Sequence, residues 1–352
     1  MKPFYYLATG MLLLIALACD KSAEVISNNE LPADHLSLRS QMELPVLSPG
    51  NSRAFDISNS GAIVGSTKHD GIVTAFKYAK GDLWYSDETV IPNGLPEIGF
   101  CINERGDMAG HTIVPGGIAP AFWEDGELTT LPNLPGLAYG EVYDINASGE
   151  MVGECLNGSF LTPTSWRAVY YPLDGNPIDI GTLGGANASA AGINDDGHIC
   201  GVAANALGQL RAFYYADGVM QDIGTLGGTT ANANAINNND EIAGRSLLAN
   251  GAIRAFKYSE GMMTDLGTLG GAASVAFDIN DRGDVVGFSR VSSGLAHAFL
   301  YQDGVMIDLG TGPGVESRAF AINNKGEVVG FYVMPDASFH AFLYKDGVML
   351  PL

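Results

Sequence analysis

Residues 276–310 read AFDINDRGDVVGFSRVSSGLAHAFLYQDGVMIDLG. Four apolar runs lie in this stretch, at 276–280, 284–289, 297–301 and 305–309. Asn280-Asp281-Arg282-Gly283 divides the first two, and Asp303-Gly304 divides the last two. Asp-Gly supplies the two left-handed residues that a two-residue hairpin requires, so the stretch is predicted to fold as a four-stranded meander. Val285-Val286 and Ala298-Phe299-Leu300-Tyr301 do not alternate apolar with polar. Such continuous apolarity is the pattern of strands covered on both faces.

The stretch recurs from Arg53 to the C-terminus. With the Ile of the Ile-Asn pair as a marker, copies fall at Ile57, Ile102, Ile145, Ile193, Ile236, Ile279 and Ile322, at intervals of 45, 43, 48, 43, 43 and 43 residues. Asn follows the marker in every copy but the first, which has Ser58. Gly149, Gly197, Gly283 and Gly326 close the following turn, and Asp217-Gly218 and Asp346-Gly347 repeat the second hairpin. Seven meanders packed on both faces are the pattern of an all-β, seven-bladed β-propeller of four-stranded antiparallel blades. The link Gly-Thr-Leu-Gly-Gly (181–185, 224–228, 267–271) is expected to carry the chain from the outer strand of one blade to the inner strand of the next. That crossing is roughly 14 Å, which about eight or nine residues, the link with its flanks, span easily. An open β-solenoid is the other architecture considered; it would expose two sheet ends.

His297-Ala298-Phe299 and His340-Ala341-Phe342, with Arg211-Ala212-Phe213 and Arg254-Ala255-Phe256 as variants, resemble the HAF repeat of bacterial extracellular proteins. The resemblance covers most of 43–352, with departures at Thr74, Pro120 and Val169. It implies export and a propeller-like fold, and it brings no defined activity.

Arg167, Arg211, Arg254 and His297 open the third strands, and Asp179, Asp222, Asp265 and Asp308 lie in the fourth. Pairing across Asp303-Gly304 sets Phe299 opposite Asp308, with His297 one diagonal step away on the same face. The expectation is a repeated ion pair or hydrogen bond within each blade; the alternative is an anion-binding arc. Thr74 and Pro120 have Tyr85 and Leu131 at the offset of the Asp. His340 has Pro351 there, and Glu43 stands as the spare acid. An N-terminal strand at 41–44 is therefore expected to join the last blade and close the ring.

The N-terminus carries Lys2 and an apolar run from Phe4 to Ala18, ending Ala16-Leu17-Ala18-Cys19. This run is shorter than the ~20 residues that span a bilayer and reads as a secretory signal. It resembles a bacterial lipoprotein signal, which implies lipid attachment at Cys19. The expected organisation is a signal peptide at 1–18, a lipidated N-terminus and tether at 19–40, and the propeller at 41–352. The destination would be the bacterial envelope, with a membrane anchor through lipid, on the periplasmic side or the cell surface. Apolar residues make up 46% of the chain and charged residues 16%, and the net charge of -21 argues against nucleic acid.

Asp56, Asp144 and Asp278 precede the marker on the innermost strand. They are candidates for an acidic channel mouth that binds ligand, or for partners of nearby backbone amides. Asp144, Asn146 and Ser148 are the best match to a calcium loop, although most copies fail that pattern and no Glu completes it; ordinary turns are the competing reading, and no other cofactor is expected. Cys101, Cys155 and Cys200 lie in neighbouring copies; they could include one disulfide or be small core residues. Trp84, Trp123 and Trp166 could stack on sugar or fill blades. No metalloprotease, nucleophile-elbow or phosphate-cradling motif occurs. Three functions remain open: a binding module for a protein or polysaccharide, an exported glycan-active hydrolase or lyase with its site in the funnel, and a structural envelope protein.

Overall fold

A computed structural model describes residues 47, 51–69, 72–86, 98–115, 117–159, 162–173 and 175–352. All of its regular elements are strands, and they form seven four-stranded antiparallel sheets. The blades span 53–85, 98–130, 139–179, 184–222, 227–265, 270–308 and 316–351. Each uses four consecutive strands, so the sequence repeat and the blade coincide. In blade six the strands are Gly270–Ile279, Val285–Val291, Ala296–Gln302 and Val305–Asp308. The turn Asp303-Gly304 has φ of 51° and 81°, the left-handed pair that its sequence demands.

The Gly-Thr-Leu-Gly-Gly link is tighter than expected. Its last two glycines already belong to the next inner strand, which begins at Gly184, Gly227 and Gly270. A Cβ on Gly228 would stand 2.5 Å from the Leu247 carbonyl oxygen, so only glycine lets that strand start so close to its neighbour.

Adjacent blades pack face to face. Between blades six and seven, Val286, Ala298, Leu309, Ala319, Ile322 and Phe342 form one buried cluster. Phe76, Phe213, Phe256, Phe299 and Phe342, the aromatic residues of the HAF-like motif, have no exposed surface. Each such ring stabilises the fold by about 2–3 kcal/mol through burial.

The rim follows the expected register. Phe299 pairs with Asp308, and His297 Nδ1 lies 2.9 Å from Asp308 Oδ2. Arg167–Asp179 and Arg211–Asp222 meet at 2.9 Å, and Arg254–Asp265 at 3.9 Å. The exceptions find other partners. Thr74 bonds the Ser86 hydroxyl at 2.6 Å rather than Tyr85, and His340 stacks on Tyr332 with ring centroids 5.4 Å apart.

The strand expected at 41–44, and Glu43 with it, lies outside the described residues. Blade seven draws all four of its strands from 316–351. At its junction with blade one, Leu47 packs with Leu352 in one cluster, and the Asn51 and Ser52 amides donate to the Phe339 carbonyl. Among the described residues no helix is long and apolar enough to cross a membrane.

Candidate functional site

The channel at the centre of the ring is shaped by a defect that every blade shares. The register between inner and second strands slips two residues before the marker, leaving one extra residue in all seven inner strands. The extra residues are Phe55, Phe100, Tyr143, Ala191, Asn234, Phe277 and Phe320. Glycine faces this bulge from the second strand in every blade, at Gly65, Gly110, Gly153, Gly201, Gly244, Gly287 and Gly330. A Cβ on Gly287 would stand 2.0 Å from the Val275 carbonyl oxygen and 3.0 Å from the Phe299 ring. The motif Phe therefore lies on a glycine, and that glycine makes room for the bulge. A bulge re-aims side chains, and all seven bulged residues line a cavity of about 150 Å³.

Five of the seven are aromatic, and they occupy five consecutive blades. Phe277–Phe320, Phe320–Phe55, Phe55–Phe100 and Phe100–Tyr143 have centroid separations of 5.1, 5.8, 5.9 and 5.9 Å. The arc opens at blades four and five, where Ala191 and Asn234 replace rings and Asn232 and Arg245 also line the cavity.

Asp56, Asp144 and Asp278 line the same cavity, one residue nearer the marker. Each clamps two blades. Asp56 accepts from its own Ile57 amide and, at 2.8 Å, from Ile102 of the next blade. Asp144 does the same with Ile145 and Ile193, and Asp278 with Ile279 and Ile322. The reading as partners of backbone amides thus describes these residues, and their side chains also line the channel. Burial lifts their pKa values to about 6, 7 and 8 in chain order; Glu104 adds to the rise at Asp56, and repulsion from the other aspartates adds to it at Asp144 and Asp278.

The marker Asn residues close the hub. Each side-chain amide donates to the backbone carbonyl at the matching position of the next blade, from Asn103 to Asn146 at 3.4 Å and onward to Asn323 and Ser58 at 3.1 Å. Each Asn Oδ1 caps its own turn, as Asn237 does for the Asn239 and Glu241 amides. The next residue adds a second circle of amides bonded to side chains of the following blade, as in Asp195 to Asn238 and Asp281 to Asn324. These residues surround a polar mouth of about 190 Å³, and Asp144 and Asp278 reach both it and the aromatic cavity.

The calcium-loop candidates are engaged within this scheme. Asp144 is held as described, while Asn146 Oδ1 accepts from the Ser148 and Glu150 amides. Among the described residues no group of three or more His, Cys, Asp or Glu is placed to hold a metal ion. Cys101, Cys155 and Cys200 are buried free thiols. Burial, with Asp144 and Asp56 nearby, pushes the Cys101 thiol well up, so it stays protonated. Trp123 is buried among Val64, Met108 and Ala121.

Sequence reasoning missed one cluster. Glu141 and Glu154 face each other across neighbouring strands of blade three, both with no exposed surface. Burial raises Glu141 to about 8, with the Glu154 charge adding to it, and burial alone raises Glu154 to about 7. His111 Nδ1 lies 3.8 Å from Glu141 Oε1, and Tyr143 stands beside both carboxyls. Tyr143 and Ser189 moderate the shifts, yet none of the four carboxyl oxygens has a donor in hydrogen-bonding geometry. In blades seven and one the inner-strand position of Glu141 is held by Arg318 and Arg53. Arg53 lies 4.1 Å over the Phe339 ring, and burial followed by Arg318 repulsion lowers it to about 10. The available signal was the residue four places before each marker: Arg53, Ile98, Glu141, Ser189, Asn232, Val275 and Arg318 share almost nothing.

No protein-family model matches the chain, and no curated protein matches its sequence. Solved structures share its architecture. A puromycin-hydrolysing peptidase from Mycobacterium tuberculosis aligns over 87% of this chain and 53% of its own, with a TM-score of 0.55 at 14% identity. The β-propeller domain of the Trilobed protease from Pyrococcus furiosus aligns over 86% of this chain and 97% of its own, with a TM-score of 0.54 at 9% identity. The chain spans about half the length of the first of these. Likeness at such identity establishes the fold alone: the protein is a seven-bladed β-propeller.

Proposed function

We propose that this propeller is an exported binding module, held to a membrane by lipid on Cys19, that captures a protein or polysaccharide segment in its central channel. The observation that carries this reading is the five-ring arc with its polar opening at Asn232, Asn234 and Arg245. Ring closure demands none of these identities, because Ala191 and Asn234 occupy the same bulge without a ring. Large rigid rings beside a few polar groups are the usual composition of a recognition pocket. Kinship with the HAF-repeat proteins belongs to the same reading and rests on the recurring His/Arg-Ala-Phe motif.

Thermal-shift screening of the protein against cell-wall glycans, polysaccharides and peptides tests the function. A hit should raise the melting temperature without being consumed, and Phe277→Ala with Asn234→Ala should abolish the shift. Product formation would overturn the module in favour of an enzyme. Anchoring is tested separately, by incorporation of labelled palmitate that Cys19→Ser should remove.

A further inference from the structure

We propose that the aromatic cavity is a receptor for an alkylammonium group, the cation at the end of a lysine side chain or of a free aliphatic amine. The inference rests on the channel being the binding surface and adds the chemistry of what enters it. Ring faces carry negative charge density and attract organic cations, more strongly once water is excluded. Here five rings stand in contact around one cavity whose lining also includes three carboxyl groups. Each carboxyl oxygen of Asp278 accepts a single backbone amide. A carboxylate oxygen has two lone pairs, so acceptor capacity remains for a ligand.

The Glu141–Glu154 pair points the same way. In blades four and five the corresponding strand pairs, Ser189 with Val202 and Asn232 with Arg245, line the cavity. The two glutamates hold those positions in blade three, buried and without a hydrogen-bond donor for any carboxyl oxygen. Arg245, at the open edge of the arc, is the one Lys or Arg among the residues that line the cavity, against three aspartates. An arriving ammonium would favour the ionised form of these carboxyls, which burial now disfavours. The volume suits such a group, since a cavity of about 150 Å³ accommodates a molecule the size of benzene.

Calorimetric titration of the intact chain with n-butylammonium, N-acetyl-lysine methylamide and the neutral 1-butanol tests the proposal. Both cations should bind at least about tenfold more tightly than the alcohol, the worth of one desolvated cation–π contact. Binding of n-butylammonium alone would assign the site to free amines, and binding of both to protein-borne lysine as well. Phe320→Leu and Asp278→Asn should each weaken the cations several-fold, whereas Asp222→Asn at the rim should not. Glu141→Gln gives a further reading should Asp278→Asn fail to fold. Equal affinity for 1-butanol would refute the cation preference and leave the channel reading standing. If neither cation binds while a glycan or peptide still needs Phe277, the inference fails and the module survives. Loss of all binding, including that hit, ends both.

Discussion

At the rim, Arg167, Arg211, Arg254 and His297 choose the same partner in four blades, an Asp of the fourth strand. At the hub, the residue before each marker is Asp, Cys, Asp, Gly, Ala, Asp and Ala in blade order, and each of the three Asp reaches an amide of the next blade. The rim copies are interchangeable because each pair fixes register within its own sheet. The hub copies are complementary: an Asp never has an Asp in either neighbouring blade, and three is the largest number that a ring of seven can hold on that condition. Like charges set side by side are destabilising, which explains the spacing. Repetition thus marks local structural work, and ordered disagreement marks positions that depend on the whole ring.

The largest test of this contrast is pH. Five carboxyls, those of the buried Glu141 and Glu154 and of the half-buried Asp56, Asp144 and Asp278, have pKa values raised to about 6–8. The folded state keeps their protons where the unfolded chain has lost them, so stability is full below about pH 4 and falls as pH rises through 6 to 8. At about 1.4 kcal/mol per pKa unit, denaturant titrations at pH 5 and pH 8.5 should differ by several kcal/mol. Asp278→Asn should flatten that difference, and Asp222→Asn at the rim should leave it unchanged. Equal stability at the two pH values would remove the hub carboxyls from the energetics.

Gly287→Ala should be the most damaging single substitution, at about 3 kcal/mol, because the new methyl meets backbone that cannot retreat without undoing the bulge. Calorimetry should show a lowered melting temperature. Asn237→Ala removes two turn caps and a bond of 2.9 Å to the next blade, for a loss of about 2 kcal/mol. Arg254→Met comes last. Its ion pair is 3.9 Å long and partly exposed, so chemical denaturation should register no more than about 1 kcal/mol and ligand binding should persist. A rim effect larger than that of Asn237→Ala would invert the comparison.

The meander, the hairpin turns and the rim pairs were legible because each is written inside one copy. Phe299 and Asp308 are linked by a two-residue turn, which fixes their pairing before any tertiary contact is considered. The hub was less legible because its partners are one blade apart: Asp278 serves Ile322, and Asn323 reaches Ser58 around the ring. The bulge leaves no insertion in the sequence; its trace is the glycine eight residues after every marker, whose meaning depends on the strand opposite. Glu141 and Glu154 escaped notice because only strand pairing places them face to face. The expected lipid-attachment signal at 1–19 lies outside the described residues.

The two circles of hub bonds and the three Asp clamps distribute unevenly among the seven blade junctions. Between blades six and seven all three kinds are present. Between blades two and three Cys101 takes the Asp position and Ala147 has no acceptor to offer, leaving the 3.4 Å contact of Asn103 alone. Hub bonding is therefore thinnest at this one junction, where apolar packing holds the two blades instead. That junction lies beside Glu141, Glu154 and Tyr143, and across it His111 of blade two stands 3.8 Å from Glu141 of blade three while Cys101, Ala109 and Val142 share one buried cluster.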